Sequence, residues 1–281
     1  MPLPTISDYE DKVSIAIHTC ERFEVARVTV LSCLAFGGDV PILVQDDCST
    51  DPRIDKWLTS LTRAGILMYL RSSSRIGIGR MYRWTADMAL DLGEYVVSVD
   101  GDMLIGPDAI QLLYASLKHW EPDGVRWMSG FGLRKRRPEV IPDEEWVTHI
   151  GRYSDIALWV ASSKIIHKYR SFISTVEWGQ PLSKVRKHLM QDGFDRKLCL
   201  RPRIPVAHLG KFDSTVPTPG GSGCRCWFGC WEENPIPDLL DKGAFVVGYP
   251  QSAIDLGTRL RNEYLNRWDA IYSADRVVGI E

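Results

Sequence analysis

The 281-residue sequence lacks any apolar run long enough to cross a bilayer, and its start, Met1-Pro2-Leu3-Pro4-Thr5, lacks the charged and apolar regions of a secretory leader. These absences lead us to expect a soluble, cytoplasmic protein with no transmembrane segment. It also lacks net charge: 34 Lys+Arg against 36 Asp+Glu give −2, too little for a global attraction to nucleic acid or an acidic membrane. No repeat or long low-complexity segment interrupts it. The seven cysteines are an odd number without paired C-x₂-C spacing; Cys20, Cys33, Cys48 and Cys199 are scattered, and Cys224, Cys226 and Cys230 cluster. Reduced thiols are the expectation, with structural zinc on the cluster as the lesser alternative.

What is present is an alternation of strand and helix patterns. Residues 13–17 read as a buried strand, and 21–36 carry helical apolar spacing through Val25, Val28, Leu31 and Leu34. Residues 40–44 form a second apolar run. It closes on Gln45-Asp46-Asp47-Cys48-Ser49-Thr50-Asp51, whose polar side chains can cap a helix over 52–61. A third strand is expected at 66–70, a helix at 77–90, a fourth strand ending at Asp100 and a helix at 107–117. This rhythm predicts parallel pairing, right-handed crossovers and an α/β sandwich. After Trp120 it changes: 125–133 and 146–161 look strand-rich, 163–172 and 181–190 helical. Residues 198–209 read as an extended edge or crossing segment because of Pro202 and Pro205. A mobile loop is expected at 215–223 and a last amphipathic helix at 258–272.

The strand patterns end in residues that carry chemistry. Glu94-Tyr95-Val96-Val97-Ser98-Val99-Asp100-Gly101-Asp102 is a β-branched run closed by two carboxylates around one glycine. In a parallel sheet such strand ends share one rim with His18-Thr19-Cys20-Glu21-Arg22 and Asp46-Asp47. Hard oxygen ligands on a short turn suit Mg²⁺ or Mn²⁺, although Asp-Gly-Asp is also an ordinary solvated turn. Arg75-Ile76-Gly77-Ile78-Gly79-Arg80 joins glycines, a helix start and arginines, a combination that can approach and neutralise phosphate. A dinucleotide fingerprint fits these glycines poorly, because Tyr82 stands where its third glycine belongs.

The ordered set resembles the family 2 glycosyltransferases of the GT-A fold: residues 13–22 their opening strand and loop, 45–51 their acidic turn, 75–83 their diphosphate helix, and 99–102 their D-x-D. The resemblance implies a Rossmann-like α/β/α sandwich with a mostly parallel central sheet and an elaborated C-terminal part. Residues 1–120 would be its nucleotide-sugar-binding half and 121–281 its acceptor-binding and catalytic half. Thr19, Arg22, Asp46 and Asp47 would line the base and ribose pocket, Gly77 and Arg80 would face the diphosphate, and Asp100 would meet the ribose or a metal-bound water. Asp102 would ligate Mn²⁺ or Mg²⁺, and His208, in Ala207-His208-Leu209-Gly210, resembles a third ligand. Asp192 looks like an acidic residue at a helix start that serves as general base, with Asp195 as substitute. The sequence departs from the family pattern at His18 for proline, Cys20 for an aromatic residue, and Met81-Tyr82-Arg83 for Ala-Arg-Asn.

The expected activity is an inverting, metal-dependent transfer of a sugar from a nucleotide donor, UDP-linked by first expectation, to a hydroxyl acceptor on a glycan, a lipid-linked sugar or nucleic acid. Alternatives are a nucleotidyltransferase, a nucleic-acid-modifying glycosyltransferase, and a non-catalytic sugar-binding or scaffold protein. The runs Arg134-Lys135-Arg136-Arg137 and Lys184-Val185-Arg186-Lys187-His188 can draw an acidic acceptor, though solvated faces explain such runs more often. Trp146, Trp159, Trp178, Trp227, Phe228 and Trp231 are stacking candidates, and 220–223 a candidate lid.

Overall fold

Alternate residues of one strand face opposite sides of a sheet, and in this protein both sides are covered by helices. The structure is a computed structural model describing residues 6–106, 109–122, 124–129, 147–150, 157–173, 183–192, 200–202 and 206–208. Helix α1 (Ile6–Glu10) leads into β1 (Val13–Thr19), followed by α2 (Phe23–Phe36), β2 (Ile42–Asp46), α3 (Pro52–Arg63), β3 (Met68–Arg71), α4 (Ile78–Leu92) and β4 (Tyr95–Asp100). Then come β5 (Met103–Ile105), α5 (Ala109–Trp120), β6 (Trp127–Ser129), β7 (Val147–Ile150), β8 (Leu158–Ser162) and α6 (Ser163–Lys168). A 3₁₀ turn (Arg170–Phe172), α7 (Ser183–Gln191), β9 (Leu200–Pro202) and β10 (Val206–His208) complete the described elements.

The described strands form an eight-stranded sheet in the order β3-β2-β1-β4-β8-β6-β9-β7, and a small β10-β5 sheet. The first four strands are all parallel, as the βα rhythm requires. The later half adds to the same sheet with antiparallel β8 against β4. Ile15, Ile17, Val97, Val99, Leu158 and Val160 point to one face, where α2, α3 and α5 bury residues such as Leu31, Leu58 and Leu113. Ala16, Val96, Trp159 and Ala161 point to the other, against Tyr82 and Ala86 of α4, Ile166 of α6 and Leu189 of α7. The result is the three-layer sandwich expected, with its parallel character concentrated in the first half.

Two local expectations change. β9 lies between β6 and β7 and so is not an edge; Pro202 is tolerated because it is the strand's last residue, where the pairing with β7 is irregular. The acidic turn after β4 leads into a short strand that the sequence did not mark, ahead of the helix expected at 107–117, which is α5. Met103 to Ile105 form β5, held by β10 and by the Ile105 amide on Ser32 Oγ at 3.1 Å. The Arg134–Arg137 run, Cys224, Cys226 and Cys230, Asp195, the loop at 215–223, the last helix and the aromatics other than Trp159 lie outside the described residues.

Candidate functional site

Register places the chemistry. Thr19 stands opposite Asp46, His18 opposite Asp100, and Asp46 opposite Arg71, so the carboxyl ends of β1 to β4 form one rim. Three non-glycine residues in the loops of this rim hold positive φ, namely Glu21 (56°), Arg22 (59°) and Cys48 (53°), a conformation that persists only when the surroundings enforce it.

The surroundings are a hydrogen-bond lattice built on the turn after β2. Asp46 is fully buried; its carboxylate accepts from the Ser49 amide at 3.0 Å and from the Ser49 hydroxyl, with Arg71 Nε at 3.5 Å. Burial pushes its pKa up, against the lowering by Ser49. Asp47, also buried, accepts from the amides of Ile76 at 2.5 Å and Gly77 at 2.9 Å, while its own amide donates to the Thr19 carbonyl at 2.9 Å. Gly77, at φ 82°, is the residue from which α4 starts. Sequence reasoning missed Glu21: its carboxylate accepts from the Thr50 amide and from Arg75, each at its nearest 2.8–2.9 Å away, and ties three loops together. A charged residue held at positive φ is the only sign of it, and φ is not legible in a sequence.

The turn after β4 is built differently. Gly101 presses on the end of β1: its amide donates to the His18 carbonyl at 2.6 Å, and a β-carbon there would lie 2.7 Å from that oxygen and 3.0 Å from Thr19 Cα. No side chain fits between the two carboxylates without moving β1. Asp100 and Asp102 are both half-buried. Asp100 Oδ1 accepts from the Tyr82 hydroxyl at 2.6 Å, and Asp102 Oδ2 lies 3.3 Å from Arg22 Nη1. His208 stands opposite Met103 in the β10–β5 ladder, so its backbone runs beside the residue that follows Asp102. Arg80 is exposed in the first turn of α4.

Asp192 follows the last residue of α7, at the end of the helical stretch expected over 181–190, whereas the family residue it resembles stands at a helix start; its amide closes onto the His188 carbonyl at 2.9 Å. Its carboxylate accepts from the Tyr169 hydroxyl and from Lys168 Nζ at 3.0 Å, and these bonds, Tyr169's first, lower its pKa. Among the described residues it makes no hydrogen bond or ion pair with the rim. On α7, Val185 and Leu189 are buried and His188 stacks on Phe172 at 3.5 Å, while Lys187 is exposed. Trp159 is a core residue, 4.2 Å from Trp127 between ring centres, and not a stacking platform.

No family model and no curated protein sequence matches this chain. Solved structures do match in fold. The mannosyltransferase PcManGT from Pyrobaculum calidifontis, in complex with GDP-Man and Mn²⁺, superposes with a TM-score of 0.52 at 17% identity over 69% of this chain. GalNAc-T7 with UDP, GalNAc and Mn²⁺ superposes with a TM-score of 0.55 at 15% identity over 76%. The chain spans 55% and 46% of their respective lengths. The fold is the GT-A α/β/α sandwich.

Proposed function

We propose that this chain is a metal-dependent glycosyltransferase of the family 2 type, moving a sugar from a nucleotide donor to a hydroxyl acceptor with inversion. The observation that carries this reading is the half-buried Asp100-Gly101-Asp102 turn at the rim of a GT-A sheet, seated against the end of β1. Both proteins compared above were solved with Mn²⁺ and a nucleotide or nucleotide sugar.

Asp102 offers a half-buried hard carboxylate, paired with Arg22, that suits a divalent cation, and the backbone of His208 runs beside Met103; among the described residues no group of three or more such ligands comes together. Asp102 and His208 would hold Mn²⁺ or Mg²⁺; such a cation, when bound, neutralises charge on a departing nucleoside diphosphate. Thr19, Asp46, Asp47 and the lattice around them shape the wall for base and ribose. Asp100 orients the ribose, and Arg22 and Arg80 approach the diphosphate through charge, with Gly77, its amide held by Asp47, starting the helix that faces it. Asp192, kept ionised by Tyr169 and Lys168, is assigned the acceptor's proton; those same bonds make it a weak base.

The test is a panel of nucleotide sugars, UDP-linked first, scored for Mn²⁺-dependent hydrolysis and for calorimetric binding. Asp102→Asn is expected to lower Mn²⁺-dependent nucleotide binding about 100-fold without changing the melting temperature. Asp192→Asn is expected to spare donor binding and stop transfer. Nucleotide binding without any turnover favours the sugar-binding or scaffold alternative, and Asp102→Asn binding as tightly as the parent removes the metal assignment.

A further inference from the structure

Two positions at which the sequence departs from the family pattern, His18 and Tyr82, are far apart in the chain and in contact in the fold. Their rings meet edge to face, with centroids 4.7 Å apart and planes at 68°. Both are buried, His18 at 3% and Tyr82 at 1% exposure. The Tyr82 ring also faces Trp159, 6.3 Å away, so it sits between β1 and β8 under the end of β4.

His18 is itself held from two sides. Its Nε2 is 2.8 Å from Thr85 Oγ1, one turn along α4 from Tyr82, and its Nδ1 is 3.4 Å from Ser98 Oγ on β4. Thr85 Oγ1 in turn donates to Gln45 Oε1 on β2 at 3.1 Å. A polar network therefore crosses three strands and α4 inside a buried layer, and although Gln45 Nε2 finds no partner among the described residues, the bonds that are made hold the His18 ring from both sides. Burial pushes the His18 pKa down to about 3, so the ring is neutral and adds no charge beside Asp100. The product of this packing is a phenol with a fixed direction, whose hydroxyl donates to Asp100 Oδ1 at 2.6 Å.

We propose that Tyr82, braced by His18, is a positioning residue that fixes the Asp100 carboxylate and thereby sets how tightly the nucleotide of the donor is held. The inference rests on the function proposed above, in which Asp100 meets the ribose. A carboxylate on a turn can rotate about its terminal bond, and a donor on one oxygen selects one orientation before the ligand arrives, which lessens the ordering needed on binding. Tyr82 touches no substrate in this scheme and acts only through Asp100.

The experiment is calorimetric titration of the full chain with UDP and, in parallel, GDP in the presence of Mn²⁺. It uses four proteins: the parent, Tyr82→Phe, Asp100→Ala and the double variant; Asp102→Asn is measured alongside. Tyr82→Phe keeps the ring and its packing and removes only the hydroxyl. The expected result is about 10-fold weaker nucleotide binding for Tyr82→Phe and no further weakening when it is added to Asp100→Ala. His18→Gln, which removes the brace, is expected to weaken binding in the same direction by less, and serves if Tyr82→Phe fails to fold. Unchanged binding in Tyr82→Phe, with Asp100→Ala weakened, overturns the inference and leaves the functional reading standing. Equal losses from Tyr82→Phe in both backgrounds also overturn it, because the tyrosine then acts by some route other than Asp100. If neither nucleotide binds the parent, or Asp100→Ala and Asp102→Asn bind as the parent does, the functional reading falls and the inference with it.

Discussion

The turn after β2 and the turn after β4 carry the same signal in sequence, two carboxylates at the end of a buried strand, and the fold uses them in opposite ways. Asp46 and Asp47 are buried, and their oxygens are taken up by amides and a hydroxyl of the rim itself. Asp100 and Asp102 are half-buried, and the partners seen on them include long side chains, Tyr82 on Asp100 and Arg22 on Asp102. A carboxylate bonded by backbone amides cannot leave them without exposing unsatisfied donors, so it serves architecture. One opposed by a side chain can exchange that partner for a ligand. In the function proposed above, the first turn would build the wall of the site and the second would face into it.

The comparison breaks most visibly at Asp47. Removing its carboxylate leaves the Ile76 and Gly77 amides without their acceptor in a buried place, and lost bonds to a charged group cost roughly 1.5–3 kcal/mol each. Asp47→Ala is therefore expected to lower unfolding free energy by about 3 kcal/mol, measured by urea denaturation, while Asp47→Asn, which keeps one acceptor oxygen, loses less. The second turn is expected to show the contrast: Asp102→Asn should weaken ligand binding and leave the midpoint where it was. A stable Asp47→Ala protein with impaired nucleotide binding would reverse the roles assigned to the two turns.

A smaller effect comes from the strand between the turns. His18 faces Asp100 in register and is neutral in the folded chain, its pKa near 3 against an ordinary 6.5. Between those values the unfolded chain binds a proton that the folded chain does not, so stability rises with pH and is lost progressively as pH falls below about 6.5. The slope from this one group is at most about 1.4 kcal/mol per pH unit. His18→Asn is expected to flatten the fall in unfolding free energy between pH 6.5 and 4.5. An unchanged slope would mean that His18 protonates within the fold, and the neutral layer between the two acidic turns would not exist.

Periodicity made most of the first half legible. The four parallel strands and their helices are where the apolar spacing puts them, because β1, β2 and β4 are buried on both faces and the early helices pack apolar side chains on the sheet, while β3 is the exposed edge. The rim followed, since parallel pairing alone gathers strand ends. Direction was not legible. Nothing in Asp46-Asp47 or Asp100-Gly101-Asp102 says which carboxylates turn inward; that depends on Ser49, Ile76 and Gly77 in one case and on the approach of Gly101 to β1 in the other. Tyr82 was visible only as a departure from a pattern, and its meaning required the contact with His18. The end of α7 was legible to within a residue, so that Asp192 stands just past it as expected, but its partners Tyr169 and Lys168 come from another part of the chain and were not.

The smallest effect is also the sharpest divider between the two turns, because it predicts opposite signs in one variant. Arg22 is held at positive φ just before α2 with its guanidinium 3.3 Å from Asp102, where it supplies the positive charge that a divalent cation would supply. An ion pair of this kind is worth about 0.2–1 kcal/mol when solvent reaches it. If Arg22 competes for Asp102, Arg22→Gln binds Mn²⁺ alone about 1.5- to 5-fold more tightly, read by electron paramagnetic resonance of the free ion. If the same guanidinium moves to the diphosphate once the cation arrives, the variant binds UDP in the presence of Mn²⁺ more weakly than the parent. Tighter metal with weaker nucleotide identifies Arg22 as a partner that Asp102 gives up on binding. Equal weakening of both would make Arg22 part of the rim's fixed architecture, and Asp102 would then belong with Asp46 and Asp47.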